Sequence, residues 1–251
     1  MTVAEAPSSR APSRPRVAAL LRQDITALRY APGEGIDAKK VAHELGISRT
    51  PVRESLILLE EEGLVEVYPR VGTFVSLVDL KRIRDAQFLR EAIETSSIAD
   101  FRATPEVVDE LRMILAQQEA SVESQDSASF FELDEKFHRR LMDHAGHENA
   151  WKTVNAAKAH LDRARRLTMG RADDLADLVR QHRSIVDALE AGDGSAAVNR
   201  LTEHLRAIYD DIQVIRKEHP ELFTDVASQQ EAQRVTRRLQ GGLLREGPEG
   251  L

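Results

Sequence analysis

At Ser76 the apolar pattern of this chain changes, and from Asp79 to Lys217 every segment reads as helix. Apolar residues there recur three and four apart, the spacing that lines one face of a helix, and the strand signals end. The first helix runs from Asp79, its cap, to Phe101 and carries Leu80, Ile83, Phe88, Leu89 and Ile93. Pro105 opens the second, with Val107, Val108, Leu111, Ile114 and Leu115. Ser129–Ala145 has Phe130, Leu133, Phe137 and Leu141 on one stripe and stops at Gly146; Asn149–Met169, Asp173–Ala191 and Ser195–Lys217 complete a set of six. No heptad persists long enough for a coiled coil and no solenoid period recurs, so a compact antiparallel bundle is expected.

The residues before this point are punctuated differently. Val17, Leu20, Leu21, Ile25 and Leu28 mark a helix over Arg16–Tyr30, closed by Ala31-Pro32-Gly33. Asp37 caps a short second helix, Ala38–Leu45, which Gly46 ends after Val41 and Leu45. A tight turn leads to Ser48 or Thr50 as the cap of a third helix, with Pro51 in its first turn and Val52, Leu56, Ile57 and Leu59 buried through Glu62. After Gly63, Leu64–Tyr68 and Thr73–Leu77 read as two strands around Pro69-Arg70-Val71-Gly72. Helix, helix, turn, helix, hairpin is the order of a winged helix-turn-helix. The chain thus divides into a flexible arm at 1–15, this domain at 16–77, the helical bundle at 79–217 and a polar tail at 218–251, a mainly α fold.

Charge decides whether that order is used on nucleic acid. The net charge of −7 argues against it, yet residues 1–76 hold ten bases and ten acids, so the whole acidic surplus lies beyond them. Ser48-Arg49-Thr50-Pro51-Val52-Arg53 gathers two guanidiniums and two hydroxyls at a helix N-terminus, where free amides already favour phosphate. Lys39 and Lys40 begin the second helix and Arg70 caps the hairpin, so bases fall on three neighbouring edges of one small module. Arg49 or Arg53 can also fork onto guanine.

A second constellation lies in the bundle. His138 follows Asp134 by four residues, about 400° of helical rotation, so both project from the inward face beside Phe130, Phe137 and Leu141. His182 and His204 each lie eleven residues from Asp193, and a reversal at Gly192-Asp193-Gly194 sets them at one height on paired helices. With no cysteine in the chain, three imidazoles and one carboxylate suit zinc first, then nickel, manganese, cobalt or iron, with one or two positions left for water or an oxygen ligand. Core histidines satisfied by hydrogen bonds are the alternative, and His43, His144, His147, His160 and His219 are read that way. Arg163, Arg165 and Arg166 read as a solvated face, the alternative being that one of them turns towards the cavity. Nothing is placed as a general base and no Gly-rich phosphate loop occurs, so no catalytic residue is assigned and an enzyme, a metal-dependent hydrolase or oxygenase, is disfavoured. The absence of an 18-residue apolar run and of a signal-like N-terminus points to the cytoplasm.

Ala31-Pro32-Gly33, the run Val41 to Leu56 and Leu59-Glu60-Glu61-Glu62-Gly63-Leu64-Val65 resemble the DNA-binding domain of GntR-family bacterial regulators. The rest resembles the FadR subfamily, whose helical C-terminal part is the FCD domain, in its VanR-type six-helix branch. The resemblance implies a homodimer on a pseudo-palindromic operator, acting as a repressor, with Lys39, Arg49, Thr50 and Arg53 on DNA beside Ser48, and Arg70 and Gly72 at the wing tip. Lys39 stands where arginine is frequent, so a phosphate contact is expected there. It also implies a metal at Asp134, His138, His182 and His204 and a small carboxylate effector. Arg90 and Glu94 match its Arg-x-x-x-Glu pattern and are the expected effector contacts; Arg90 meets the effector carboxylate, pairs with Glu94 along the helix or bridges helices structurally.

Overall fold

The computed structural model describes residues 14–168 and 172–224. Most of the arm at 1–15, and the tail from 225, lie outside the described residues. The chain divides after Leu77 into two compact units.

The first unit comprises α1 (Arg14–Thr26), α2 (Ala38–Glu44), α3 (Arg49–Glu61), β1 (Val65–Tyr68) and β2 (Gly72–Val75). Val17, Leu21 and Ile25 of α1 close with Val41 of α2 and Val52, Leu56 and Leu59 of α3 into a core from which water is excluded. Asp37 caps α2 by accepting the Lys39 N–H at 2.7 Å. The strands pair antiparallel, Val65 opposite Val75 and Tyr68 opposite Gly72. Residues 33–36 run along the other edge of β2, where the Val75 N–H reaches Glu34 and the Ile36 N–H reaches Thr73, each at 2.8 Å. The wing is therefore held on both sides and presents no bare central strand. Ile57, expected in the buried stripe, is instead 51% exposed, because one residue past Leu56 is a 100° step around the helix.

The second unit begins with β3 (Val78–Asp79) and continues through α4 (Leu80–Ile98), α5 (Pro105–Glu123), α6 (Ser127–His144), α7 (Glu148–Ala157), α8 (Ala159–Thr168), α9 (Ala172–Glu190) and α10 (Gly194–Glu218). A short 3-10 turn then leads into β4 (Phe223–Thr224), which pairs parallel with β3. Pro220–Thr224, expected in the polar tail, are thus folded back onto the start of the unit. Asp79 caps α4 through the N–H groups of Lys81 and Arg82.

Among the described residues the bundle has seven helices where six were expected. The segment read as one helix over Asn149–Met169 breaks at Lys158, whose backbone leaves helical geometry (φ −89°, ψ 4°). Its ammonium is buried between Glu135 at 2.5 Å and Asp162 at 2.7 Å, a paired cation that no Pro or Gly announces in the sequence. Phe88 is also displaced from its expected place: the interior face of α4 carries Ile83, Ala86, Gln87, Arg90, Glu94 and Ile98, which leaves Phe88 72% exposed.

The apolar side chains of the bundle form two principal clusters. One takes Ile83 and Ala86 of α4, Phe130 and Phe131 of α6, Leu175, Leu178 and Val179 of α9, and Ile208 and Ile212 of α10. The other takes Ile98, Phe137, Leu141, Ile185, Val186, Leu201 and Leu205 of the same four helices. On α4, α6 and α9 polar residues separate the two, Arg90 and Glu94, Asp134, and His182 respectively, while on α10 His204 stands between Leu201 and Leu205 of the second; all are buried. Gly192, at φ +70°, makes the left-handed turn that reverses α9 into α10 and brings the two histidines together.

Candidate metal centre and nucleic-acid interface

The four side chains that spacing brings together in the sequence meet in the structure. One ligand atom from each of Asp134, His138, His182 and His204 lies within 4.8 Å of the others, and none of these residues is more than 5% exposed. His204 Nε2 stands 3.2 Å from His138 Nε2 and 3.2 Å from His182 Nε2. Asp134 Oδ1 is 3.6 Å from His182 Nε2.

Each imidazole is anchored by its other nitrogen. His138 Nδ1–H donates to Glu94 Oε2 at 2.7 Å, His182 Nδ1–H to Gln118 Oε1 at 3.0 Å and His204 Nδ1–H to Gln181 Oε1 at 2.8 Å. A carboxylate can only accept, which fixes the His138 tautomer, and the same arrangement at the two glutamines leaves three Nε2 lone pairs converging. Burial pushes His182 down to about 3 against the attraction of Asp134, and holds His204 well below its usual value. Protonation of His182 or His204 is therefore disfavoured. Nitrogen and oxygen donors at these separations suit a divalent transition cation.

Around the ligands stand two buried ion pairs. Arg165 grips Asp134 with both terminal nitrogens, Nη1 to Oδ2 at 2.6 Å and Nη2 to Oδ1 at 2.8 Å. Burial raises the Asp134 carboxyl, but the charge and hydrogen bonds of Arg165 outweigh it and keep the group well below the usual range. Arg90 Nε donates to Glu94 Oε1 at 2.6 Å. Of the arrangements open to Arg90, the structure has the pair along the helix, and Glu94 turns its second oxygen to His138. Arg163 and Arg165 do not form a solvated face; both are buried, since Arg165 has its counter-ion on α6 and Leu161 and Ala164 draw the helix into the core.

Spacing alone missed Arg165, Gln118 and Gln181. Gln118 was visible in principle: Leu111, Ile114 and Leu115 establish the inward stripe of α5, and Gln118 continues it as a polar residue. Arg165 carries no such mark, because its partner lies on another helix.

In the first unit Lys39, Arg49, Arg53, Arg70 and Gly72 line one concave face of about 850 Å³, together with Tyr68 and Thr73. Ser48 and Thr50 are exposed at the start of α3 without lining it, and the Ser48 hydroxyl makes no cap hydrogen bond. Two of the acids that neutralise this unit are used away from that face: Arg22 Nε donates to Glu62 at 2.7 Å and Arg29 Nε to Asp24 at 2.6 Å. A unit with balanced charge therefore still presents a basic hollow. Arg70 sits at the wing tip with φ +66°, a left-handed conformation that aims the turn outward at a cost of order 1 kcal/mol.

Residues 14–75 match the bacterial regulatory proteins of the gntR family, and residues 85–207 match the FCD domain. The chain is 51% identical, over 83% of its length and 89% of the relative's, to an uncharacterized HTH-type transcriptional regulator in an unstable DNA locus of Streptomyces ambofaciens. It is 33% identical over 90% of its length to all of the HTH-type transcriptional repressor RspR of Escherichia coli (strain K12). The solved structure of E. coli McbR/YncC has the same fold, with a TM-score of 0.68 over 82% of this chain and 98% of that one at 18% identity. A winged helix-turn-helix with a basic hollow, joined to an all-helical unit, agrees with both matches, and the chain belongs to the GntR family: it is a DNA-binding transcriptional regulator with an FCD domain, not an enzyme.

Proposed function

We propose that this regulator is a repressor whose operator affinity is set by a small carboxylate metabolite at a divalent-metal centre in the FCD domain. The convergence of three histidine Nε2 atoms and Asp134 at one buried point carries the reading. Asp134, His138, His182 and His204 would hold the cation, zinc first among the candidates. Glu94, Gln118 and Gln181 fix the ring orientations, and Arg90 acts through Glu94. Such a cation would supply a Lewis-acidic position for an oxygen ligand. RspR is named a repressor, which supports that sign of regulation. No described helix is long and apolar enough to cross a membrane, in keeping with an operator-binding protein of the cytoplasm.

On the DNA side, two copies would present α3 to a pseudo-palindromic operator. Arg49, Thr50 and Arg53 would reach base edges and phosphates, Ser48 and Lys39 phosphates, and Arg70 and Gly72 an adjacent groove. Operator fragments recovered by selection give the test: Arg53→Ala abolishes binding with metal content unchanged, and an unaltered affinity sinks the DNA assignment. Burial of the ligand set also suits a purely structural cation. Metabolite titration of metal-loaded and metal-stripped protein separates the two, since a structural cation changes stability and leaves effector affinity alone.

A further inference from the structure

We infer that α8 links the Asp134–His138–His182–His204 centre to the first residues after the DNA-binding unit, with Arg165 as the positioning residue at one end and His160 as the anchor at the other. This rests on the metal reading above.

Arg165 holds both oxygens of Asp134, and Oδ1, which takes Arg165 Nη2 at 2.8 Å, also faces His182 Nε2 at 3.6 Å. One carboxylate thus looks towards the histidine cluster on one side and towards α8 on the other. Five residues earlier on α8, His160 Nδ1 accepts the backbone N–H of Asp79 at 3.1 Å. Asp79 is the second residue after the division at Leu77, and its side chain caps α4. Between these two polar contacts Leu161 and Ala164 pack in one apolar cluster with Val78 and Phe223, the first residues of β3 and β4. The helix is only ten residues long, and the break at Lys158 separates it from α7, so it can shift as a piece.

The coupling is electrostatic at one end and geometric at the other. Asp134 and Arg165 are 2% and 7% exposed at their side chains, so a change in charge beside them is little screened. A divalent charge at the histidine cluster draws on Asp134 and repels the guanidinium that shares Oδ1. Arg165 loosens, α8 moves, and the hydrogen bond from Asp79 to His160 moves with it.

Hydrogen–deuterium exchange on the full chain, stripped of metal and then given one equivalent of zinc, reads this directly. Zinc uptake should change the exchange rate of the Asp79 amide by about fivefold or more. His160→Ala should take up zinc as before while its Asp79 amide exchanges faster and no longer responds to zinc. Arg165→Met should lose the response in the same way, and if it fails to fold, the His160 variant decides. Zinc uptake with an unchanged Asp79 amide, or a response that survives in His160→Ala, overturns the inference alone. A chain that takes up no zinc overturns the metal reading and the inference together.

Discussion

Glu94 is held between a guanidinium and an imidazole, and each contact explains the other. Burial alone would raise its carboxyl, but the charge of Arg90 and the hydrogen bonds from Arg90 and His138 bring it down to about 2, so it stays an anion that can only accept from His138. That anion fixes which His138 nitrogen is left to face the other two rings. Glu94→Gln preserves the shape and removes the charge, which leaves Arg90 uncompensated and the His138 tautomer free to reverse. Metal affinity in this variant should fall about 10- to 100-fold, measured by competition with a chromogenic chelator; an unchanged affinity would show that the carboxylate does not orient the ligand. At the DNA end, Arg49→Ala should relax base preference at one operator position by about 1–3 kcal/mol. Lys39→Ala should weaken all sequences alike and lower the salt slope by about 1, so fluorescence anisotropy at several salt concentrations distinguishes the two roles.

Elements differ in how openly the sequence declares them. α6, α9 and α10 were legible together with their site residues, because Asp134, His138, His182 and His204 continue apolar stripes in register. α4 was legible as a helix but not in its facing, since Gln87, Arg90 and Glu94 occupy the interior while Phe88 looks outward. α8 was the least legible. Arg165 finds its counter-ion on α6, and a local pattern cannot show a partner that distant in sequence. The pairing of β3 with β4 joins Val78 to Phe223, too short a match to leave a period in the sequence. α5 and α6 are joined by Glu110, which accepts from Arg140 Nε at 2.7 Å and from His144 at 2.8 Å. Those contacts, Arg140 first, outweigh partial burial and bring Glu110 from 4.5 to about 2. A depressed carboxyl stabilises the fold above its unfolded value and ceases to do so as pH falls through its folded one. Between pH 4.5 and 2 the wild type should therefore lose about 1 kcal/mol that Glu110→Gln never had, after allowance for solvent, as chemical denaturation across that window would register. Parallel curves for the two proteins would refute the link.

At the scale of the molecule, a chain with two cores has two places where stability can be changed separately. Zinc bound by the second unit should stabilise that unit alone, by about 2.7 kcal/mol at a hundredfold excess over the dissociation constant. Scanning calorimetry with and without chelator should show one transition move by about 5 °C or more and the other stay fixed. A common shift of both would show that the units unfold together. The alternation of apolar, polar and apolar levels along α4, α6 and α9 has a further effect. If any of these helices slid along its axis by one turn, about 5.4 Å, it would carry an ion pair or an imidazole into a cluster of Phe, Leu and Ile. The level of charge is thus a key cut to one depth, and the bundle can rock or twist about it but cannot ratchet.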